Sequence, residues 1–249
     1  MEIKIQELHK AFGGNEILQG VDLQIVPGDI CCLLGKNGAG KTTLINLLLQ
    51  LLEPQGGRIS YDGLIYGHLP LEVKQRIGVL GDNNPLIEEL TALQYLRLSG
   101  KLYKVPAREL EKRIADLLEY FFDEEVATKR LSAFSTGMKK KIGLCAAVLH
   151  TPDLLILDEP FSGLDPLAAQ QTLDFIKSYR RENRSIFLSS HDLSYVEKIA
   201  TRIVVLHEGQ IRYDGSPEDF RNEGDYNIDS ALLDILKGSE VNQKVIEWI

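Results

Sequence analysis

Cysteine is scarce in this chain, with three among 249 residues. Cys31 and Cys32 are neighbours inside an apolar run, and neighbours on a strand point to opposite faces. Together with Cys145 they read as buried free thiols, which fits a reducing compartment. An excess of positive charge is also missing. The formal net charge is −8 and the isoelectric point near 5.2, whereas nucleic-acid binding needs a clustered basic face. Long apolar runs are absent too. The most apolar stretch, Leu44 to Leu52, is broken by Asn46 and Gln50 and falls well short of the roughly 20 residues that span a bilayer. The first ten positions alternate charged and apolar residues, without the apolar core of a secretory signal. No internal repeat, low-complexity tract or heptad run occurs. What remains, 44% hydrophobic and 26% charged, is ordinary globular composition with enough apolar material for a substantial core.

Apolar residues alternate at Ile3 and Ile5 and again at Val21, Leu23 and Ile25, the pattern of half-buried antiparallel strands. Pro27-Gly28-Asp29 is a turn signal. Ile30 to Leu34 is continuously apolar, as in a strand covered on both faces. A helix is expected over Thr42 to Leu52, a strand pair over Arg58 to Gly67 and a short buried strand at Ile77 to Leu80. From Thr91 to His150 the apolar period changes to 3.6, with Leu93, Leu96, Leu98, Leu110, Ile114, Leu117 and Leu118 marking amphipathic helices. Buried strands return at Leu154 to Leu157 and Ile186 to Leu188. Ile203 to Leu206 and Ile211 to Tyr213 flank Glu208-Gly209 as a hairpin. After Pro217 the chain is acidic and low in signal.

Gly35-Lys36-Asn37-Gly38-Ala39-Gly40-Lys41-Thr42 fits the phosphate-loop pattern and lies between a buried strand and a helix, where that chemistry needs it. Glycines let backbone N–H groups close around phosphate oxygens, and a helix N-terminus adds its positive dipole end. Lys41 offers a point charge to the β- and γ-phosphates and Thr42 a hydroxyl to Mg²⁺. Leu154 to Leu157 runs into Asp158-Glu159. A parallel strand delivers its C-terminal end to the ligand crevice, so Asp158 can hold a magnesium shell while Glu159 polarises a water for in-line attack. His191 ends another apolar run and can donate to the γ-phosphate. His9, His68, His150 and His207 show no metal-ligand spacing.

Together these residues resemble the nucleotide-binding subunits of ATP-binding cassette transporters, from about Ile3 to Gly215. The phosphate loop, with Thr43 after it, looks like the family's Walker A motif, and the strand ending in Asp158-Glu159 like Walker B. Phe134-Ser135-Thr136-Gly137-Met138 resembles the signature motif, Ser162-Gly163-Leu164-Asp165 the D-loop and Ser190-His191-Asp192 the switch-histidine region. Phe12 stands where an aromatic ring stacks on adenine. The resemblance implies an α/β fold, a P-loop NTPase (RecA-like) core with an N-terminal antiparallel β subdomain and an inserted helical subdomain. Core and β part would take residues 1–83 and 151–215, the helical subdomain 84–150 and a short tail 216–249. It also implies ATP and Mg²⁺ as ligands and a head-to-tail dimer, with itself or a paired cassette subunit. In such a dimer Ser135, Thr136 and Gly137 face the nucleotide on the partner's phosphate loop. A separate integral membrane permease would supply the transport path, placing the chain at the cytoplasmic face of a bacterial membrane. Leu90 to Leu93 and Asp158 to Pro166 look most like cassettes of bacterial exporters.

Two other classes fit less well. Soluble cassette ATPases acting on DNA or ribosomes carry paired cassettes or basic or coiled-coil insertions, and GTP-dependent switches carry an Asn-Lys-x-Asp element. None of these is present. The sequence departs from the family after Ile77 to Leu80, where glutamine is usual and Gly81-Asp82-Asn83-Asn84 stands instead. Asp82 takes that position, with Asn83 as the alternative. A carboxylate there can ligate Mg²⁺ but adds negative charge beside a triphosphate. Thr136 and Met138 also differ from the usual signature residues. Lys139-Lys140-Lys141 reads as a solvated helix face, or as positive potential toward the partner's nucleotide or an acidic permease loop.

Overall fold

A computed structural model describes residues 1–82, 85–122 and 126–222; Asn83, the alternative to Asp82, and most of the expected tail lie outside them. In chain order the elements are β1 (Ile3–Phe12), β2 (Asn15–Ile25), β3 (Ile30–Leu34), α1 (Lys41–Leu48), β4 (Gly56–Tyr61), α2 (Leu71–Lys74) and β5 (Ile77–Leu80). They continue with α3 (Ala92–Leu102), α4 (Ala107–Phe121), α5 (Thr136–Val148), β6 (Leu154–Asp158), α6 (Pro166–Tyr179) and β7 (Ser185–Ser190). The last are α7 (Leu193–Ile199), β8 (Arg202–His207), β9 (Gln210–Gly215) and α8 (Pro217–Asn222).

The strands form two sheets. An antiparallel one has the order β2-β1-β4, and a second has the order β5-β6-β7-β3-β8-β9. In the second sheet every pairing is parallel except the β8–β9 hairpin. Continuous apolar runs follow from that arrangement, because a parallel sheet is covered on both faces. Cys32, Leu34, Leu155, Leu157 and Leu188 point into one cluster with the helices α3 to α7. Cys31, Leu33, Leu154, Ile156 and Phe187 point into another, shared with α1 and the antiparallel sheet. The adjacent cysteines thus enter opposite cores, fully buried and free. Burial pushes the Cys31 thiol up to about 12 and holds Cys145 higher still.

The helices between β5 and β6 have local causes. Thr91 and Gln94 form a reciprocal capping box at the start of α3, which satisfies two of its unpaired N–H groups. Leu96, Leu110 and Ile114 are buried between α3, α4 and α5, whereas Leu98, expected on the apolar face, is exposed. Two other expectations are corrected. The helix after the phosphate loop stops at Leu48, because Gln50 turns left-handed at φ 51° and leaves Leu51 exposed. The strand pair over Arg58 to Gly67 reduces to β4 and a single bridge between Tyr61 and Leu64. Asp62 and Gly63, both at positive φ, reverse the chain there.

In the parallel sheet Leu34 pairs with Ser190, and Asp158 with Ser189. The loops leaving β3, β6 and β7 therefore open on one edge. The phosphate loop, Asp158-Glu159 and His191 all lie at that edge.

Candidate nucleotide site

The loop from Gly35 to Gly40 is shaped by contacts that exclude side chains. A Cβ on Gly35 would lie 2.6 Å from the Leu206 carbonyl oxygen, and one on Gly40 would press on Ile17 and Leu18 at 3.0–3.1 Å. Gly40 caps α1 at φ 103°, a conformation only glycine adopts without strain. The loop is thus bent tightly, and the Ala39 N–H closes it by donating to the Lys36 carbonyl at 3.1 Å. Lys41 opens α1 and is only 6% exposed. Its Nζ donates to the Gly35 carbonyl at 2.7 Å and lies 3.5 Å from Glu159 Oε1. Burying an ammonium is costly unless it is paired, and here the loop carbonyl and the carboxylate provide the pairing.

Thr42 Oγ1 donates to Asp158 Oδ2 at 2.8 Å. Ser189 Oγ donates to the other oxygen of Asp158 and accepts from the Glu159 N–H at 3.0 Å. Glu159 stands in the left-handed region at φ 49°, a placement that costs a non-glycine residue about 1–3 kcal/mol and persists only when its surroundings over-determine it. They do so here. Besides Lys41 and Ser189, His191 Nδ1 is hydrogen-bonded to Glu159 Oε2 at 2.8 Å. Lys140 Nζ donates to the Glu159 carbonyl at 2.7 Å.

Phe12, Lys36, Asn37, Gly38, Thr42, Thr43, Asp82 and Glu159 line one open cleft. Phe12 is half exposed, with Lys10 Nζ 5.1 Å from its ring centre. Ser135, Thr136, Gly137 and Asp165 do not line that cleft. Ser135 caps α5, its Oγ accepting from the Met138 N–H at 3.2 Å, and Asp165 caps α6 through the Ala168 N–H at 2.9 Å. The two turns adjoin, since a Cβ on Gly163 would sit 3.6 Å from Thr136.

Ser189 stands outside the motifs read from sequence, and Lys140 figures there only as one member of the lysine run. A serine at the end of an apolar strand is the one signal that could have found the first. The lysine run is corrected: it is not a solvated face. Lys139 pairs with Glu88 at 2.5 Å, Lys140 lies against Glu159 and Asp82, and Lys141 donates to the Phe121 carbonyl and Gln171 Oε1, each at 2.9 Å.

Residues 18–162 match the family model described as ABC transporter. This chain belongs to the ABC transporter family. The ATP-binding protein NatA of Bacillus subtilis is 37% identical over 202 residues, 81% of this chain and 82% of that one. The linearmycin resistance ATP-binding protein LnrL of Bacillus subtilis is 33% identical, covering 87% of this chain and 70% of its own length. A solved structure described as an ATP-binding subunit of an ABC transporter superposes with a TM-score of 0.87 at 31% identity, over 94% of this chain and 99% of that one. The chain is an ABC cassette ATPase with the P-loop NTPase fold. No helix of the described residues is long and apolar enough to cross a membrane.

Proposed function

We propose that this ABC cassette binds Mg·ATP in the cleft under the phosphate loop, hydrolyses it with Glu159 as general base, and does so as one half of a head-to-tail dimer. The observation that carries the reading is the run of contacts from the Gly35 carbonyl through Lys41 to Glu159 and His191, with Thr42 and Asp158 bonded beside it. Phe12 stacks on the adenine and Lys41 takes the β- and γ-phosphate oxygens, leaving Glu159 free to act. Thr42 and Asp158 are hard oxygen donors, of the kind that holds Mg²⁺ together with substrate phosphates and waters. Bound there, Mg²⁺ offsets negative charge on the phosphate oxygens. Glu159 accepts a proton from the attacking water as its oxygen adds to the γ-phosphorus and ADP departs, while His191 holds the carboxylate and faces the γ-phosphate.

Gly137 supports the second half of the proposal. In the first turn of α5 a glycine is a poor helix residue, and within the chain a Cβ there would meet nothing closer than 3.4 Å. Room for a methyl exists in the protomer, so the small residue suits a group outside it, here the γ-phosphate held by a second cassette. Ser135, the N–H groups of Thr136 and Gly137, and the positive end of α5 then close on that phosphate. ATP joins the halves and hydrolysis separates them. Asp165, at the start of α6, lies beside the signature turn on the same interface.

In this reading a separate integral membrane permease carries the cargo, and the cassette works against it at the cytoplasmic face of the membrane. Export is favoured over import, because resistance cassettes such as LnrL are among its relatives. The defining experiment is Glu159→Gln. ATP binding and ATP-dependent dimerisation are expected to survive, while hydrolysis falls by about three orders of magnitude, the scale set by loss of a positioned base. Hydrolysis at the wild-type rate would remove Glu159 from the role of base.

A further inference from the structure

Lys140, in the middle of the Lys139-Lys140-Lys141 run, is almost fully withdrawn from solvent, its side chain 8% exposed. Its Nζ donates to the Glu159 carbonyl at 2.7 Å and stands 3.6 Å from Asp82 Oδ1. A withdrawn ammonium needs a counter-charge, and Asp82 is the carboxylate paired with it. The same Glu159 carbonyl accepts the Ser162 N–H at 3.2 Å, at the turn leading into Asp165. Glu159 is thereby gripped on both sides of its left-handed backbone: Ser189 holds its N–H, Lys140 and Ser162 its carbonyl.

Lys140 also lies three residues after Gly137 on α5, a spacing that places two residues side by side on a helix surface. We propose that Lys140 is a positioning residue for the hydrolytic carboxylate, with Asp82 as its counter-charge, so that the helix presenting the signature turn to one nucleotide also braces the base acting on the other. This rests on the composite-site reading given above. It assigns Asp82 a task other than ligating magnesium. Where the family usually has a neutral glutamine, this chain has a carboxylate, and a lysine within α5 balances it. Movement of α5 on dimer closure then reaches Glu159 through a single side chain.

The test is steady-state ATP turnover by the full chain with Lys140→Met, Lys140→Arg, Asp82→Gln and the Lys140→Met/Asp82→Gln double variant. ATP affinity and the Mg²⁺ dependence of turnover are measured alongside. Lys140→Met is expected to lower kcat about tenfold with KM and ATP affinity within about twofold, the signature of an interaction realised in the transition state. Lys140→Arg restores most of the lost kcat. Asp82→Gln alone costs about threefold and nothing further in the Lys140→Met background, because the two share one interaction. Wild-type kcat in Lys140→Met, or a loss confined to KM, would overturn the proposal. So would additive losses, or a raised Mg²⁺ requirement in Asp82→Gln, which would return Asp82 to the metal. Glu159→Gln separates the levels. If it is inert while Lys140→Met is fully active, this proposal fails alone; if it hydrolyses normally, the assignment of Glu159 as base fails with it.

Discussion

Glu159 shows how one residue is made to do its work. Its left-handed backbone would relax if free, and four neighbours from three parts of the chain prevent that: Lys41, Lys140, and the pair Ser189 and His191 at the end of β7. Such strain is kept at functional positions because the fold around them over-determines the geometry. Gly137 is the opposite case, a residue whose smallness nothing inside the protomer requires. Gly137→Ala is therefore expected to leave the melting temperature unchanged or slightly raised, since alanine is the better helix residue. Turnover should nevertheless fall by more than about tenfold, because the added methyl meets the partner's nucleotide rather than its own chain. Thermal unfolding and steady-state hydrolysis on the same preparation decide it, and unchanged turnover would count against a trans role for the signature turn.

At the scale of elements, packing between α3 and α4 depends on a glycine as well. A Cβ on Gly100 would fall 2.2 Å from Leu110 Cδ1, and Leu110 is buried. Gly100→Ala is expected to destabilise the chain by about 1–3 kcal/mol through overpacking. That is a drop of roughly 3–10 °C in melting temperature for a domain of this size. An unchanged melt would mean the two helices separate at no cost. The sequence made several elements readable in advance. The phosphate loop is a contiguous pattern whose flanking strand and helix follow from local chemistry. The β8–β9 hairpin is visible in Glu208-Gly209, both at positive φ. Strands β3, β6 and β7 announce themselves as unbroken apolar runs. What escaped is what depends on tertiary partners. Leu98 fits the helical period yet faces solvent, and nothing in Leu64 or Ile65 reveals that no second strand pairs there. Lys139, Lys140 and Lys141 look like any solvated run until Glu88, Asp82 and Gln171 are seen opposite them. The phosphate-loop and Asp158-Glu159 residues were legible as local motifs, whereas the brace on Glu159 joins α5 to β6 and β7, and no local pattern encodes it.

Across the whole molecule, the site divides in two. Phe12, the phosphate loop, Asp158, Glu159 and His191 gather at the edge where β3, β6 and β7 end, while Ser135, Thr136, Gly137 and Asp165 gather at the starts of α5 and α6, outside the cleft. In the proposed dimer, two copies turned head to tail bring each half to the other's complement. Turnover per chain, measured against chain concentration at saturating Mg·ATP, tests this most directly. It is expected to rise with concentration and to level off where the chain becomes dimeric. A rate per chain that stays constant across the dilution series, in a preparation that sediments as a monomer throughout, would contradict it.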